Sequence, residues 1–500
     1  MDIFANLWLG LETAFGLEPL FYCFAGVLLG TAIGVLPGLG PTATIAMLLP
    51  VTLGLPPASA LIMLAGIFYG AQYGGSTTAI LINLPGEATS AVTALDGYAM
   101  ARQGKAGRAL ATAAIGSFIA GTLSTLLIAF FAPPLAEMAL SFGAAEYFSL
   151  MVLGLIASIV LAHGSFLHAL GMVLLGLLLG MLGTDVNSGI SRYTFDLPEL
   201  ADGIGFVTLA IGLFGIGEII VNLERESTRE VLLKTVTGLY PTRDDWRRIV
   251  GPILRGTALG SVLGILPGGG AILASFGAYA LEKKISKDPS QFGKGAIEGV
   301  AAPEAANNAG AQTSFIPMLT LGIPANPVMA LMIGAMIIQG IQPGPTVLTE
   351  QPTLFWGLIV SMWIGNLMLL ILNLPLIGFW VRLISIPYHF LYPAILVFSS
   401  IGVFSLNNTT FDVYLAALFG LIGYVFRKLD LEVAPLLLAF ILGPMMEQSL
   451  RRALLVSQGD PTVLVTRPVS AIMLGLAALL LGLVLMPVFN KSREIAFREG

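Results

Sequence analysis

Residues 34–50 read GVLPGLGPTATIAMLLP, and residues 264–276 read GILPGGGAILASF. Each begins inside a hydrophobic run, breaks it with glycines and prolines, and then resumes it. Gly34 and Gly264 stand 264 − 34 = 230 residues apart in a chain of 500. Proline removes a backbone donor and bends a helix, and glycine lets other atoms approach the main chain closely. An interruption that occurs twice is a designed feature, and the question is which environment needs it.

Composition supplies the environment. Hydrophobic residues make up 56% of the chain and charged residues 11%, with a mean hydropathy of +0.88. A soluble domain carries roughly a quarter charged residues, so this chain lacks the polar side chains to cover a wetted surface. Runs such as 109–131, 147–162, 204–221, 355–380 and 469–488 approach or exceed the roughly 20 residues that cross a bilayer as a helix. They are continuous rather than alternating, which excludes a β-barrel. The expected fold is an all-α polytopic membrane protein.

Other chemistry finds little footing. The single cysteine, Cys23, excludes an internal disulfide. His163 and His168 would point about 140° apart on a helix and make a poor ligand pair; with His389 they read as packed or interfacial residues. The N-terminus MDIFANLWLG has no Lys or Arg ahead of its apolar run, unlike a cleavable signal peptide. A net charge of −5 argues against a nucleic-acid surface.

The most polar long segment, Asn222 to Val250, divides the chain near its middle and reads as a cytoplasmic linker. A second pair of related segments follows the two breaks. Gly70-Ala71-Gln72 matches Gly310-Ala311-Gln312, and Leu84-Pro85 matches Ile323-Pro324, at offsets of 310 − 70 = 240 and 323 − 84 = 239. Lys and Arg accumulate in cytoplasmic loops. Lys283, Lys284, Lys287 and Lys294 follow the second break, whereas the loop after the first has none. Arg102, Lys105 and Arg108 follow the first Leu-Pro, and the counterpart after the second has none. The expected plan is therefore two inverted-topology repeats, residues 1–221 and 251–467, joined by the 222–250 linker. An extra C-terminal helix and cytoplasmic tail, 468–500, complete it. Counting half-crossings gives about 11–15 transmembrane or half-membrane helices, some broken or re-entrant. Arg451, Arg452 and Arg467 fall in a loop this plan puts outside and count against it.

Within lipid, non-helical backbone survives only where it is buried or lines a cavity. Inverted repeats with interrupted helices are the plan of secondary transporters, whose half-helix N-termini face anionic groups and whose freed carbonyls hold a cation. The breaks at Pro37, Pro41, Pro85, Gly86, Pro267 and Pro324 are thus expected to line a site. Candidate substrate-binding residues are Gly38, Gly40, Thr42, Gly74, Gly75, Ser76, Thr77, Asn83, Gly268, Gly270, Asn307, Asn308, Thr313 and Ser314. Candidate ion-coupling residues are Glu304, Asn83, Asn308 and Gly322, with a Na⁺ site at the helix breaks. Intramembrane polar clusters of this kind read as functional. Glu304 follows Pro303 at an expected helix start, where an acid also stabilises the dipole. Ser117 and Ser124 on a long helix read as close-packing residues, and Asp96, Asp185, Asp196 and Asp202 as solvated.

Neither glycine segment has the spacing of a dinucleotide fingerprint, and no P-loop occurs. No catalytic constellation stands out: Ser76 with a distant His163 is a poor serine-protease pair, because Thr77 takes the place of the glycine expected after the nucleophile. No enzymatic activity and no cofactor beyond a coupling Na⁺ or H⁺ is expected. The competing reading is an ion or anion channel, although channels usually build a symmetric pore from several copies.

Three stretches carry a family resemblance: residues 34–52, 65–110 and 298–324, including YGAQYGGSTTAILINLPGEATS and APEAANNAGAQTSFIPMLTLGIP. They closely resemble the large membrane subunit of tripartite tricarboxylate transporters, the TctA-type family, and the likeness extends along essentially the whole chain. Ala325-Asn326 departs from the Gly-Ser expected there. The resemblance implies a multi-pass permease of the bacterial inner membrane working with a small TctB-type membrane subunit and a periplasmic TctC-type solute-binding protein. It would import tricarboxylates or related organic carboxylates such as citrate on a sodium or proton gradient. Its motifs carry over onto Pro37, Gly38, Gly40, Pro41, Thr42, Tyr73, Gly74, Gly75, Ser76, Asn83, Pro85 and Gly86, and onto Pro267, Gly268, Gly270, Pro303, Glu304, Asn307, Asn308, Gly322 and Pro324. Elevator-like carriers are often dimers, so a homodimer is among the expected assemblies.

Overall fold

The computed structural model describes residues 3–36, 40–162, 165–185, 187–224, 238–268, 270–384 and 388–485. The described structure is 79% helical. Among the described residues, seven helices are long and apolar enough to cross a membrane, from Leu17–Gly34 to Pro468–Leu485. Four shorter apolar helices, Pro41–Thr52, Phe166–Gly180, Pro327–Ile338 and Ile395–Asn407, accompany them. A two-stranded antiparallel hairpin, Gly183–Thr184 with Ser191–Arg192, is the only sheet among the described residues.

Apolar side chains lie on both the inside and the outside. Trp356, Trp380, Phe355 and Phe315 are fully buried, while Phe4, Leu17, Phe131, Ile472 and Leu479 are exposed. The Pro468–Leu485 helix has a mean hydropathy of 2.4 with only 17% of its residues buried. Such a surface would aggregate in water; facing lipid it is at its lowest free energy. The molecule is a multi-pass membrane protein.

The two breaks reverse the chain. Leu17–Gly34 and Pro57–Ile82 run parallel, with Gly26 against Met63, Gly30 against Ile67 and Gly34 against Ala71. A Cβ added at those glycines would stand 2.2, 2.3 and 2.4 Å from the facing carbonyl oxygens, so the backbones themselves are in contact. The segment between them, Pro41–Thr52, must therefore run back. In the second half, Gly256, Gly260 and Gly264 of Arg243–Leu263 meet Ala302, Ala306 and Gly310 of Glu298–Thr313 at 2.3, 2.3 and 2.4 Å. The returning helix there is Gly270–Ile285, antiparallel to Glu298–Thr313: Ala271 faces Gly310, and Ser275 Oγ donates to the Pro303 carbonyl at 3.4 Å.

Every rung of one ladder maps onto the other at 256 − 26 = 230 and 302 − 63 = 239. This packing pairs Ala71 with Gly310, one residue away from the Gly-Ala-Gln triplet match. The exits repeat too. Asn83 (φ 57°) and Gly322 (φ 70°) end their helices in the left-handed region, 239 residues apart. Glu87 and Asn326, again 239 apart, follow in extended conformation.

The expected run 355–380 is not one helix. Pro352–Asn373 ends at the Leu374-Pro375 pair, since Pro375 has no N–H to continue the hydrogen-bond ladder, and Ile377–Ile384 resumes it. Glu304 lies not at a helix start but in the body of Glu298–Thr313, with Pro303 inside the helix; the acid in the first turn is Glu298, paired with Arg248. The 222–250 linker is not all loop either. Thr242 and Asp245 form a reciprocal cap that starts the Arg243–Leu263 helix.

Charged groups gather at the two ends of the 34-residue helix Ala106–Ala139. At its start, Arg108 pairs with Asp245, and Gln103 Nε2 donates to the Lys294 carbonyl at 2.7 Å. Beyond its far end, Arg467 pairs with Glu146, and Arg451 with Asp185 and Glu447. The arginines that weighed against the loop scheme thus sit opposite the lysine-rich end, and two of the three are held by carboxylates. Asp96 and Asp185 are not solvated. Asp96 is fully buried: its Oδ1 accepts the N–H groups of Gly293, Gly295 and Ala296, and its Oδ2 accepts the Tyr279 hydroxyl.

Candidate functional site

The two reversing units meet through polar side chains. On Pro57–Ile82, Gln72 and Ser76 lie one turn apart on the face toward Glu298–Thr313. Gln72 Nε2 donates to Asn307 Oδ1 at 3.3 Å, and Asn307 Nδ2 donates to Glu87 Oε1 at 3.0 Å. Ser76 Oγ lies 2.9 and 2.8 Å from the two carboxylate oxygens of Glu304. Thr93 Oγ1 donates to Glu304 Oε1 at 2.6 Å and Ser117 Oγ to Oε2 at 3.5 Å. Asn308 Nδ2 donates to Ser117 Oγ at 2.6 Å. Glu304 is 1% exposed, and no Lys, Arg or His hydrogen-bonds or ion-pairs with it among the described residues. A buried carboxylate without a countercharge is among the most costly groups a protein can hold, so its surroundings are the first place to look for function.

Beside it lies a narrow cavity of about 10 Å³, the room of about one water molecule. Its polar lining comes from Tyr73, Ser76, Thr77, Ser117, Glu304 and Asn373. Thr77 Oγ1 donates back to the Tyr73 carbonyl at 3.1 Å, and the Tyr73 hydroxyl donates to Asn366 Oδ1 at 2.9 Å. Asn373 Nδ2 donates to the Leu369 carbonyl at 2.9 Å, while its Oδ1 is buried without a partner.

The first break converges on the same height of Pro57–Ile82. Gly40 opens the Pro41–Leu48 helix, and a Cβ there would lie 3.6 Å from the Gly86 carbonyl oxygen. Gly86 N–H donates to the Gly75 carbonyl at 3.4 Å, and Glu87 packs over Gly75. In the second half, Gly268 (φ 107°) donates its N–H to the Ala325 carbonyl at 2.8 Å. Among the expected site residues the structure therefore brings Ser76, Thr77 and Glu304 around one cavity, with Asn308 one link away through Ser117. Asn307 is tied to Gln72 and Glu87 outside that lining, and Gly40, Gly75 and Gly86 form a neighbouring close approach of backbones.

The others do different things. Gly74 and Gly270 are packing contacts, since a Cβ would meet Val35 N at 2.6 Å and the Leu263 carbonyl at 2.2 Å. Thr313 and Ser314 spend their hydroxyls on the carbonyls of Ala309 and Ala311. Asn83 and Gly322 are left-handed helix exits, Asn83 being exposed. Thr42 is half-buried, Pro85 is exposed in the turn after Asn83, Pro267 is half-buried and Pro324 buried. Pro37 and Gly38 lie outside the described residues, as does His163.

Sequence reasoning missed Thr93, Glu87 and Asn373, and it read Ser117 as a packing residue; Ser124, by contrast, does bridge helices, 3.0 Å from Ser261 Oγ. One signal was there to be used. Asn-Leu-Pro occurs at 83–85 and again at 373–375, each time ending a helix on an asparagine.

The model of the tripartite tricarboxylate transporter TctA family matches residues 20–438. An uncharacterized 52.8 kDa protein in the TAR-I ttuC' 3'region of Agrobacterium vitis is 60% identical over 499 residues, 100% of this chain and 99% of that protein. An uncharacterized protein in the TAR-II ttuC' 3'region of the same organism is 60% identical over 240 residues, 48% of this chain and 99% of that protein. No solved structure matches. The chain belongs to the tripartite tricarboxylate transporter TctA family.

Proposed function

We propose that this protein is the large permease subunit of a binding-protein-dependent secondary transporter. It imports a tricarboxylate or related organic carboxylate across the bacterial inner membrane, driven by a sodium or proton gradient. The observation that carries the reading is the duplicated reversing unit: two broken helices, packed backbone to backbone in the same register, meet at a buried carboxylate. Residues 1–221 and 251–467 act as inverted-topology repeats, and the site lies between them, as in other carriers of this plan. The substrate's carboxylates engage main-chain N–H groups at the start of the Pro41–Leu48 helix, where Gly40 interrupts the run, while Gly268 shapes the second break with its own N–H held by the Ala325 carbonyl. The coupling cation offsets their charge. A periplasmic solute-binding protein delivers the substrate, and a small membrane subunit completes the assembly. Permeation needs no bond-making, and no side chain is assigned a catalytic role.

The test is uptake of radiolabelled citrate and related carboxylates into proteoliposomes holding this chain and its small subunit, with and without the binding protein. Uptake that requires both the binding protein and an imposed sodium or proton gradient is expected. Flux that fails to saturate and ignores both would establish a channel instead.

A further inference from the structure

We infer that Glu304, Asn373, Ser76, Thr77 and Ser117 form a binding site for one monovalent cation, sodium. The site lies between the two repeats and away from the carbonyls of the helix breaks. This rests on the transporter reading above and names the place where its coupling ion sits. Four observations lead to it.

The cavity these residues share is about 10 Å³, too small for any organic carboxylate and sized for one water or one bare ion. Its polar lining is oxygen: a carboxylate, hydroxyls, and an amide whose nitrogen is already committed to the Leu369 carbonyl. Oxygen-only surroundings suit hard cations, not soft ones. Glu304 supplies one negative charge with no basic partner, so a single positive charge brings the site to neutrality, whereas a divalent ion would leave a buried surplus.

The fourth observation separates a metal ion from a proton. A proton on Glu304 would find acceptors in the hydroxyls of Ser76 or Thr93, both within 3 Å, and would leave Asn373 Oδ1 as unpartnered as before. Asn373 is 4% exposed, and a buried acceptor left without a partner is a standing cost. A cation between Glu304 and Asn373 satisfies both at once. Its position follows from the chain: Pro375 ends the Pro352–Asn373 helix at this depth and sets Asn373 in the cavity wall. Glu87, linked through Asn307 to Gln72, lies outside this lining.

Thermal unfolding of the full-length chain in lipid nanodiscs tests the site without transport. NaCl is titrated against choline chloride and KCl at constant ionic strength, since a ligand that binds only the folded state raises the melting temperature. Sodium is expected to raise it saturably, and choline and potassium are not. Glu304→Gln should abolish the sodium effect. Asn373→Ala should move its midpoint about tenfold higher, the worth of one contact to a charged partner. Asn373→Asp, which adds a second carboxylate, should let calcium compete. If Asn373→Ala does not fold, Asn373→Ser decides the matter through the same midpoint shift.

A sodium midpoint unchanged in both position-373 and position-304 variants overturns the site. So does stabilisation that follows pH alone with no response to sodium. Sodium binding without gradient-driven carboxylate uptake would overturn the transporter reading and leave the site. Uptake without a sodium response would do the reverse.

Discussion

The glycine ladder makes a prediction that can be worked through from distances. In Gly30→Ala the new Cβ would stand 2.3 Å from the Ile67 carbonyl oxygen, where ordinary contact begins at 3.4 Å. The obstacle is main chain in the middle of a 26-residue helix, so no side chain can turn aside to admit it. The Leu17–Gly34 helix would have to retreat by 3.4 − 2.3 = 1.1 Å, and the rungs at Gly26 and Gly34 would open with it. Overpacking a filled core costs about 1–3 kcal/mol, and a backbone obstacle places this variant at the upper end. Alanine in place of a helical glycine returns about 1 kcal/mol of intrinsic propensity. Gly482→Ala isolates that second effect: Gly482 lies on the Pro468–Leu485 helix with nothing within 4 Å of a new Cβ. The difference between the two variants is then the steric cost alone, about 3 kcal/mol. The assay is thermal unfolding in detergent followed by tryptophan fluorescence, for which the buried Trp356 and Trp380 are natural reporters. Gly30→Ala should melt several degrees below Gly482→Ala. If the two melt together, the helices do not touch backbone to backbone and the repeat argument built on them fails.

Three further outcomes are expected. Asp96→Ala removes the acceptor for three backbone N–H groups and the Tyr279 hydroxyl; at 1–3 kcal/mol for a stranded buried group, a loss of at least about 3 kcal/mol should appear as a lower melting temperature and faster proteolysis near Lys294. Gly268→Ala places a side chain at φ 107° and 2.8 Å from Leu161 Cβ, so uptake should fall roughly 5- to 150-fold, by the strain of about 1–3 kcal/mol, while expression in the membrane stays normal. Asp185 is held down to about 2 by the Asn187 N–H and Arg451. Its depressed value means that its stabilising effect is present at neutral pH and is lost only as pH falls from about 3.8 towards 2. Limited proteolysis across Gly183–Arg192 should therefore be flat from pH 7 to 5, and Asp185→Asn should raise cleavage throughout that range.

The class of the protein was legible because lipid-facing helices must be apolar whatever they do. The repeated ladder was legible because its rungs need glycine and its exits need residues that tolerate left-handed backbone. The polar residues of the candidate site were harder to separate. Gly74 and Ser76 belong to one glycine- and hydroxyl-rich run, yet one packs against Val35 and the other hydrogen-bonds Glu304. Neighbours on a helix point in different directions, and the local sequence does not say what waits on each side. Ser117 shows the converse: it looks like any small residue of a packed helix and turns inward to the carboxylate. Asp96 looked solvated because a charged loop follows it in sequence, and it is buried because a different loop, residues 293–296, closes over it. Asn373 was hidden inside an apolar run whose break depended on one proline.

The ladder also has a mechanical meaning. Two helices in main-chain contact through glycines four residues apart can slip past one another only in whole steps, about 6 Å each, because any intermediate offset drives a side chain into a carbonyl. Leu17–Gly34 with Pro57–Ile82, and Arg243–Leu263 with Glu298–Thr313, are in effect two solid struts. Strain applied to the first is passed to its end at the left-handed joint Asn83; the second hands it on through the short Phe315–Leu321 helix to the left-handed joint Gly322.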